Sequence, residues 1–383
     1  MKTTWNQHVV KMSNKSLVLQ IIRSEAPLSR AEIAQQTGLN KGTVSSLVQE
    51  LIDEQLCCET GPGESSGGRR PVMLLFNQTA GYAIGLDVGV HYVLGVLTDL
   101  QGNVVQEIHT PYSDTSYSQV VDVIKETIRS LIKEAPPSHF GIIGIGLGVP
   151  GIVDPEGKIL FAPNLSWREV DLKRELEREF ILPVLIENEA NAGAYGEKHF
   201  GAGQNHDHLI YISAGIGIGI GLILNQELYR GHYGLSGEMG HMIIETHGHS
   251  CRCGSKGCWE MYASEAALLD QSSAHSLEEL LHLAQQGDQK TIEEFRKIGV
   301  YLGVGINNIV NTFNPSQVII GNRLALAKEW IEAPMQEIIE SHSLPYHKER
   351  VEVAFAELSI YSTARGISAF VIENFLKQEY ARN

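Results

Sequence analysis

The sequence lacks several features that would place it outside the cytoplasm. It has no run of about 18 uncharged apolar residues, and its start, "MKTTWNQHVVKMSNKS", lacks the apolar centre of a signal peptide. Cysteine is scarce, with five residues in 383, three of which fall between positions 251 and 258. These absences argue against a membrane protein and a disulfide-stabilised secreted protein. We therefore expect a cytoplasmic location, where structural disulfides do not persist.

Basic residues are also in deficit, but the deficit is uneven. The chain has 30 Lys and Arg against 45 Asp and Glu, yet residues 1–47 contain six basic and only two acidic side chains. With 43% hydrophobic residues, the length allows two or three domains with cores of their own. A basic first segment on an acidic body indicates a polyanionic partner at one end. A solvated basic helix has the same composition.

Residues 28–56 carry the signals of two short helices joined by a tight turn. Ser29 and Glu32 form a capping box, Gly38 ends the first helix, and the second begins near Asn40. The apolar side of the second helix repeats at helical spacing, as Val44, Leu47, Val48 and Leu51.

The pattern predicts a helix-turn-helix whose second helix has short, hydrogen-bonding side chains on its solvent face. A purely structural helix pair has the same pattern. The residues that we assign to DNA binding in this segment are Ser29, Asn40, Lys41, Thr43, Ser45 and Ser46.

The next segment, "ETGPGESSGGRRPVMLLFN", favours DNA binding. It predicts a β-wing whose tip places Arg69 and Arg70 along DNA phosphates or in a minor groove. A plain interdomain linker shares this Gly/Ser/Pro-rich composition.

After residue 78 the sequence alternates between strands and helices. "YAIGLDVGVHYVLGVLTDLQGNVVQEI" predicts a hairpin and a third strand, and "FGIIGIGLGVPGIV" predicts a buried strand. "LPVLIENEANAGAYGEKHFG" predicts a strand followed by a helix. "LIYISAGIGIGIGLILNQELYRG" predicts two more strands, and "FNPSQVIIGN" a late one. The pattern indicates an α/β architecture with two lobes and a cleft.

One stretch, "GEMGHMIIETHGHSCRCGSKGCWE", places three histidines and three cysteines between two glutamates. A structural zinc site needs four nitrogen or sulfur ligands, which Cys251, Cys253 and Cys258 could provide together with one histidine. His241, His247 and His249 are all near enough in sequence to be the fourth ligand. The spacing of the cysteines also leaves a redox role open.

Together these motifs resemble the ROK family of repressors, open reading frames and sugar kinases, over essentially the whole chain. The stretch "GEMGH…CRCGSKGCWE" matches the signature of the family. Within it, "SSGGRRP" and "IENEANAGAYGEK" are similar to the xylose-operon repressors of Gram-positive bacteria.

The resemblance implies a fold and its limits. It implies a winged helix-turn-helix domain at residues 1–78, followed by a two-lobed, actin-like and ribonuclease-H-like domain. Lobe I would comprise residues 79–193 and 362–383, and lobe II, with a structural zinc site, residues 194–361.

The resemblance also implies which residues act. It selects His241 as the fourth zinc ligand and leaves His247 and His249 as exposed turn residues. It implies a sugar site formed by Asn164, Asn188, Glu189, Glu238, His241 and Glu260. From the sequence alone, Glu238 and Glu260 could equally be surface carboxylates.

Two phosphate loops of the family's kinases are altered here. The family's Asp-x-Gly-Gly-Thr reads as Asp87-Val88-Gly89-Val90-His91, and in the second loop, residues 215–221, Ile216 and Ile220 replace a threonine and a glycine. The general base, an aspartate in the kinases, is matched by Glu189. We expect that bulky apolar residues exclude a triphosphate and that catalysis is lost, although a sugar kinase with a DNA-binding domain is the alternative.

The resemblance, together with the basic first segment and the altered phosphate loops, therefore implies a repressor of xylose-utilisation genes. Its expected partners are a palindromic operator DNA, D-xylose as the inducer, glucose as a competitor and a second copy of the chain, with no membrane. The expected cofactor is a structural Zn²⁺.

Overall fold

The computed structural model describes residues 7–62 and 71–379. No helix in these described ranges is both long and apolar enough to cross a membrane.

The N-terminal part is a winged helix-turn-helix domain. Its elements are α1 (Gln7–Glu25), β1 (Leu28–Ser29), α2 (Arg30–Thr37), α3 (Lys41–Asp53), β2 (Cys57–Pro62) and β3 (Val72–Phe76). The strands form a sheet in the order β1-β3-β2, so that β2 and β3 are the two sides of the predicted wing. The structure adds one helix, α1, that the sequence analysis did not assign.

The turn between α2 and α3 forms as the sequence predicts. Ser29 and Glu32 make both hydrogen bonds of the capping box. Gly38 ends α2 in the left-handed region at φ 71°, which glycine adopts without steric cost. The Asn40 side chain caps α3 by accepting a hydrogen bond of 2.8 Å from the backbone N–H of Thr43.

Lobe I contains a five-stranded sheet with the order β11-β7-β4-β5-β6. Its elements are β4 (Tyr82–Val88), β5 (Tyr92–Asp99), β6 (Val104–Pro111), α4 (Tyr117–Glu134), β7 (Ile142–Val149), β8 (Ile152–Val153), β9 (Ile159–Ala162), β10 (Trp167–Val170), α5 (Leu172–Phe180) and β11 (Val184–Asn188). Strands β8, β9 and β10 form a small separate sheet.

Lobe II contains the second five-stranded sheet, with the order β14-β13-β12-β15-β16. The chain enters it through α6 (Glu189–Phe200), and its elements are β12 (Leu209–Ala214), β13 (Ile218–Leu224), β14 (Glu227–Leu228), α7 (Glu260–Ala263), α8 (Glu265–Gln271), α9 (Leu277–Gln285), α10 (Gln289–Phe313), β15 (Gln317–Gly321), α11 (Lys328–His342), α12 (Pro345–Lys348) and β16 (Glu352–Phe355). The helix α13 (Ser362–Glu379) follows.

The two sheets repeat one topology. In each, the first three strands form an antiparallel meander, and the fourth and fifth strands lie parallel to the first. The hairpin at residues 89–91 in lobe I therefore corresponds to the hairpin at residues 215–217 in lobe II. These are the two segments that the sequence analysis compared with phosphate loops.

Helices α6 and α13 lie between the sheets. α6 packs on β12 and β13, α13 packs on β4 and β7, and the two helices pack on each other. The predicted lobe boundary after residue 193 falls inside α6. The limits of the lobes stay a prediction.

Candidate functional site

All six residues predicted for sugar binding line one cleft between the lobes, with about 890 Å³ of empty space that is partly open to solvent. Lobe I supplies the turn after β7 and the short 3-10 helix Pro163–Leu165. Lobe II supplies the start of β13 and the loop that precedes α7. The N-terminus of α6 forms the floor between them.

Asn188 has a structural task as well as a place in the cleft. Its side-chain oxygen accepts hydrogen bonds from the backbone N–H groups of Ala190 and Asn191, and its amide donates to the carbonyl of Gly151 at 2.9 Å. An amide has two N–H donors, so one remains for a ligand. Asn188 therefore fixes the start of α6 at the cleft.

Glu189 is the first residue of α6 and is held from lobe II. The hydroxyl of Ser213 donates to its carboxylate at 3.3 Å, and Asn322 donates in turn to Ser213 at 2.9 Å. Burial raises the pKa of the Glu189 carboxyl above its usual range, and the hydrogen bond from Ser213 opposes this.

A second carboxylate, Asp87 at the end of β4, lies close enough to Glu189 to be affected by its charge. Asp87 is 3% exposed, and burial followed by the charge of Glu189 raises its pKa. Tyr92 donates to one oxygen at 2.9 Å, while the other has no hydrogen-bond partner among the described residues. The sequence analysis quoted Asp87 but missed its pairing with Tyr92.

Tyr92, the first residue of β5, packs against the hairpin at residues 89–91, which the sequence analysis compared with a phosphate loop. A Cβ atom added to Gly89 would lie 2.3 Å from the Tyr92 ring, so the ring packs directly on this glycine. A small cavity remains, of about 330 Å³ including open space, and Ile216 lines it on the lobe II side. Ile220, which we expected to obstruct phosphate, is 3% exposed and belongs to the core of lobe II. Tyr92 and Ile216 are therefore bulky side chains that line this end of the cleft.

The predicted metal ligands come together. The four ligand atoms of His241, Cys251, Cys253 and Cys258 all lie within 4.8 Å of one another. The sulfurs of Cys253 and Cys258 are 3.6 Å apart, and the Cys251 sulfur is 3.7 Å from Nδ1 of His241. One imidazole and three thiols are the donor set that Zn²⁺ prefers in closed tetrahedral sites.

The turns of this loop require glycine. Gly254 and Gly257 have φ values of 94° and 73°, and a Cβ atom at Gly257 would lie 1.6 Å from the carbonyl oxygen of Glu245. His247 and His249 are exposed, in agreement with their assignment as turn residues.

His241 joins the metal group to the cleft. Its Nδ1 faces Cys251 and lies 3.3 Å from Glu260, while its Nε2 lies 3.8 Å from Glu238. The hydrogen bond with Glu260 raises the pKa of His241 to about 9. This ring, bound to a metal through Nδ1, would keep Nε2 on the cleft side.

Arg252, between two of the cysteines, was missed by the sequence analysis. Its Nη1 donates to Oδ1 of Asn164 at 3.1 Å and so connects the cysteine loop of lobe II to lobe I. Among the described residues that line the cleft, it is the only Lys or Arg. Because the bond engages the amide oxygen, the amide N–H groups of Asn164 are free to face a ligand.

The predicted DNA-binding residues are mostly at the surface. Lys41, Ser45 and Ser46 are exposed on α3, and Thr43 is partly exposed. Ser29 is 5% exposed and its hydroxyl is engaged in the cap of α2, which does not favour a DNA contact by this side chain. Arg69 and Arg70 lie outside the described residues.

The basic character of the first segment is weaker than the count over residues 1–47 indicated. Residues 1–62 contain six basic and six acidic side chains. Three of the basic ones form ion pairs with glutamates beyond residue 47: Lys11 with Glu50, Lys15 with Glu54, and Arg30 with Glu59. Residues 1–62 are therefore not a basic segment overall, and an attraction for DNA depends on where the other basic side chains lie, such as Lys41 at the start of α3.

Comparisons with known proteins agree with this geometry. Residues 83–374 match the ROK family, and residues 14–56 match a winged helix-turn-helix DNA-binding family. The xylose repressor of Bacillus subtilis is 45% identical over 375 residues, which is 97% of this chain and 98% of the repressor.

Solved structures show the same relation. A ROK family transcriptional regulator, a homologue of the E. coli MLC protein, superposes with a TM-score of 0.82 at 25% identity and 98% coverage of both chains. A ROK family glucokinase from Streptomyces griseus, solved with glucose and AMPPNP, gives a TM-score of 0.67 at 29% identity. It covers 76% of this chain and 99% of the kinase chain.

Fold and site define a class of protein in which a winged helix-turn-helix domain is joined to two lobes with a duplicated sheet topology and a cleft between them. The chain belongs to the ROK family.

Proposed function

We propose that the protein is a transcriptional repressor of xylose-utilisation genes, bound to a palindromic operator and released by D-xylose in the cleft. The relative at 45% identity is a xylose repressor that matches both parts of the chain. An operator-binding protein acts where the chromosome is, so we place it in the cytoplasm.

The observation that carries the proposal is the contrast between the two ends of the cleft. We call the larger part of the cleft, lined by all six residues predicted to bind sugar, the sugar end, and the small cavity beside residues 89–91 and 215–217 the phosphate end. The sugar end includes the carboxylates of Glu189, Glu238 and Glu260. Carboxylates accept hydrogen bonds from sugar hydroxyls. Tyr92 packs on Gly89 and, with Ile216, lines the phosphate end, where we expect these side chains to exclude a triphosphate. This supports a sugar sensor that has lost catalysis.

We propose that His241, Cys251, Cys253 and Cys258 hold a structural Zn²⁺. The ion would supply only cross-linking, because four protein ligands leave no position for water. The loop that it fixes carries Arg252 and leads to Glu260, so the metal would hold these side chains at the cleft.

Release from DNA requires that the sugar change the relation between the winged domains of a dimer. Two recognition helices reach one face of DNA only if they are spaced by about one helical turn. Sugar bound between lobes I and II would favour one lobe arrangement over another and so alter this spacing.

Operator binding titrated with D-xylose tests the repressor proposal. The operator is first selected from a random DNA pool with the purified protein, and its affinity is then measured by fluorescence anisotropy at fixed salt. We expect D-xylose to weaken binding, D-glucose to compete with D-xylose, and L-arabinose to act as a control with no effect. Unchanged operator affinity at saturating D-xylose would contradict the inducer assignment.

The homodimer has a separate test. Light scattering after size exclusion should give about twice the chain mass of 42.2 kDa. Dimethyl-sulfate footprinting should then show two half-sites related by two-fold symmetry. A monomer that protects one half-site would refute the dimer.

A sugar kinase is the second candidate, because a carboxylate, Glu189, remains where the kinases of the family have their general base. The test is ATP turnover in the presence of D-xylose or D-glucose, with Glu189→Gln as the control variant. The repressor proposal expects equal background rates for both proteins. Sugar-dependent turnover that is lost in Glu189→Gln would establish the kinase.

A further inference from the structure

The winged domain shares a hydrophobic core with lobe I. One continuous buried cluster joins Val18, Leu19 and Ile22 of α1 to Val371, Ile372 and Leu376 of α13. Ala83 of β4 and Ile143 of β7 belong to the same cluster. The winged domain therefore packs against α13 and against strands β4 and β7 of the lobe I sheet.

A polar group of three residues lies at the end of this docking surface. Tyr195 of α6 donates a hydrogen bond to Glu373 of α13. Arg23 follows Ile22 on α1 and Glu373 follows Ile372 on α13, and both isoleucines belong to the shared core. Burial lowers the pKa of Arg23, while the charges of Glu373, Tyr195 and Asp99 oppose this lowering. The backbone of Arg23 is held as well, since Gln101 donates to its carbonyl at 3.2 Å. We call Arg23, Tyr195 and Glu373 the junction.

The junction is connected to the cleft through α6. This helix begins at Glu189 in the cleft and carries Tyr195 less than two turns later. Thr363, at the start of α13, donates to the backbone carbonyl of Glu189 at 3.1 Å. Glu189, in the first turn of α6, therefore lines the cleft with its side chain and is hydrogen-bonded to α13 through its backbone.

The two helices cross too closely to slide freely. A Cβ atom at Gly366 would lie 1.8 Å from the carbonyl oxygen of Ala192, and one at Gly196 would lie 2.2 Å from that of Ser362. The Tyr195 ring stacks on Phe370 with 3.8 Å between centroids. A rotation of α6 must therefore move the Tyr195 hydroxyl relative to Glu373 or carry α13 along.

A second connection reaches the junction from lobe II. Arg230 lies with its guanidinium carbon 5.3 Å from the Phe370 ring centroid, and it pairs with Glu187 at 2.7 Å. Arg230 precedes the loop that carries Ser236, Gly237 and Glu238 along the cleft. Both walls of the cleft are therefore linked to the α13 surface on which the winged domain is docked.

We propose that Tyr195, Glu373 and Arg23 are positioning residues that transmit sugar occupancy of the cleft to the orientation of the winged domain. The inference rests on the proposed function, because it names the contacts through which the inducer acts. None of the three residues lines the cleft or belongs to the predicted DNA-binding set.

Tyr195→Phe tests the inference, because it removes only the hydroxyl. The factor by which saturating D-xylose weakens operator binding is measured for the wild type and the variant. Allosteric coupling in proteins commonly amounts to about 5- to 150-fold, and we expect the factor to fall to within about twofold of one. Affinities for the operator alone and for D-xylose alone should stay within about twofold of wild type.

Coupling is reciprocal, which provides an independent readout. The operator must weaken D-xylose binding by the same factor by which D-xylose weakens operator binding. Calorimetry of D-xylose with and without operator should therefore show the same loss in Tyr195→Phe. A merely structural defect would lower the affinity for the operator alone and the affinity for D-xylose alone. It would leave unchanged the factor by which each ligand weakens binding of the other.

Two further variants complete the design. Arg23→Gln, on the other side of the junction, should lose coupling in the same way. Tyr117→Phe is the matched control, because Tyr117 also donates to a glutamate, Glu175, at 2.8 Å, but on the surface of lobe I. It should couple like the wild type.

The outcomes are distinct. Loss of coupling in Tyr195→Phe and Arg23→Gln, with wild-type coupling in Tyr117→Phe, supports the inference. Wild-type coupling in both junction variants overturns it and leaves the proposed function standing. A wild-type protein whose operator affinity does not respond to D-xylose overturns the proposed function, and the inference with it.

Discussion

At the scale of single residues, Glu189 is the position where sugar selection can be examined most directly. A pentose lacks the hydroxymethyl group of glucose, and glutamate is one methylene longer than the aspartate that the resemblance assigns to the kinases, so Glu189 could fill the space that a pentose leaves. The structure holds this carboxylate at the cleft through Ser213. The alternative is that Glu189 is what drift left after catalysis was lost.

Glu189→Asp distinguishes these accounts. If the glutamate selects the pentose by contact, the ratio of D-xylose to D-glucose affinity should fall. Pockets distinguish a missing carbon by about 1 to 3 kcal/mol, so the wild-type preference should be roughly 10- to 200-fold. Calorimetry with both sugars measures the ratio, and an unaltered ratio favours drift.

Asp87 and Glu189 predict a stability that depends on pH. Carboxyls in unfolded chains titrate near their usual pKa of about 4, whereas burial in the folded protein raises both pKa values. Between a pH of about 4 and the raised pKa values, the folded state therefore binds more protons than the unfolded state. The free energy of unfolding therefore falls as the pH rises from about 4 towards the raised values.

Asp87→Asn should reduce this dependence, because the amide cannot ionise and can still accept the hydrogen bond from Tyr92. Each unit of pKa shift corresponds to about 1.4 kcal/mol, so the loss of stability between about pH 5.5 and pH 8 should shrink by about 1 kcal/mol or more. Urea unfolding at both pH values measures it. Asp122→Asn, exposed on α4, is the control and should keep the wild-type slope.

Arg252 should contribute to sugar affinity by orienting Asn164. Arg252→Ala frees the amide to turn, so that the oxygen can replace the N–H donors at the cleft. A net hydrogen bond is worth about 0.5 to 1.5 kcal/mol, which predicts a roughly 2- to 10-fold loss of D-xylose affinity. Lys256→Ala, exposed on the same loop, is the control. Equal D-xylose affinities for Arg252→Ala and Lys256→Ala would show that Arg252 does not contribute to sugar binding.

At the scale of elements, loss of the metal from the cysteine loop should also weaken sugar binding in the cleft. Cys253→Ser removes one thiolate from the group within 4.8 Å. Because metal binding and folding of such a loop are coupled, we expect loss of zinc and a D-xylose affinity reduced by about tenfold or more.

Elemental analysis and calorimetry on the same Cys253→Ser preparation check both effects. Cys58→Ser, an exposed cysteine on β2, should keep both the metal and the sugar affinity. Wild-type sugar binding by zinc-free protein would show that the loop keeps its shape without the ion.

At the scale of the whole molecule, the repeated sheet order explains the position of the altered loops. Each sheet presents its first hairpin, residues 89–91 or 215–217, towards the space between the lobes, where Gly89, Gly215 and Gly217 line the same small cavity. Tyr92 and Ile216 stand beside these hairpins. Substitutions on these two corresponding hairpins therefore act on one cavity, which is separate from the six residues predicted to bind sugar only in part, since Asn164 and Glu189 line both.

The sequence by itself determined the elements whose signals are local. The capping box of Ser29 and Glu32, the left-handed Gly38 and the buried face of α3 all depend on spacings of three to four residues, and all are confirmed. Eight of the ten strands in the two five-stranded sheets were predicted, mostly from apolar runs near glycines, whereas β14 and β16 were not assigned. The cysteine cluster could be recognised because its three thiols lie within eight residues.

Only the tertiary structure decided what depends on residues far apart in the chain. It placed His241, not His247 or His249, against the thiols, and it joined Arg252 to Asn164 across 88 residues. It also neutralised part of the basic segment through ion pairs such as Lys11 with Glu50 and Arg30 with Glu59. Such contacts are set by how the sheets and helices pack, and no spacing along the chain encodes that packing.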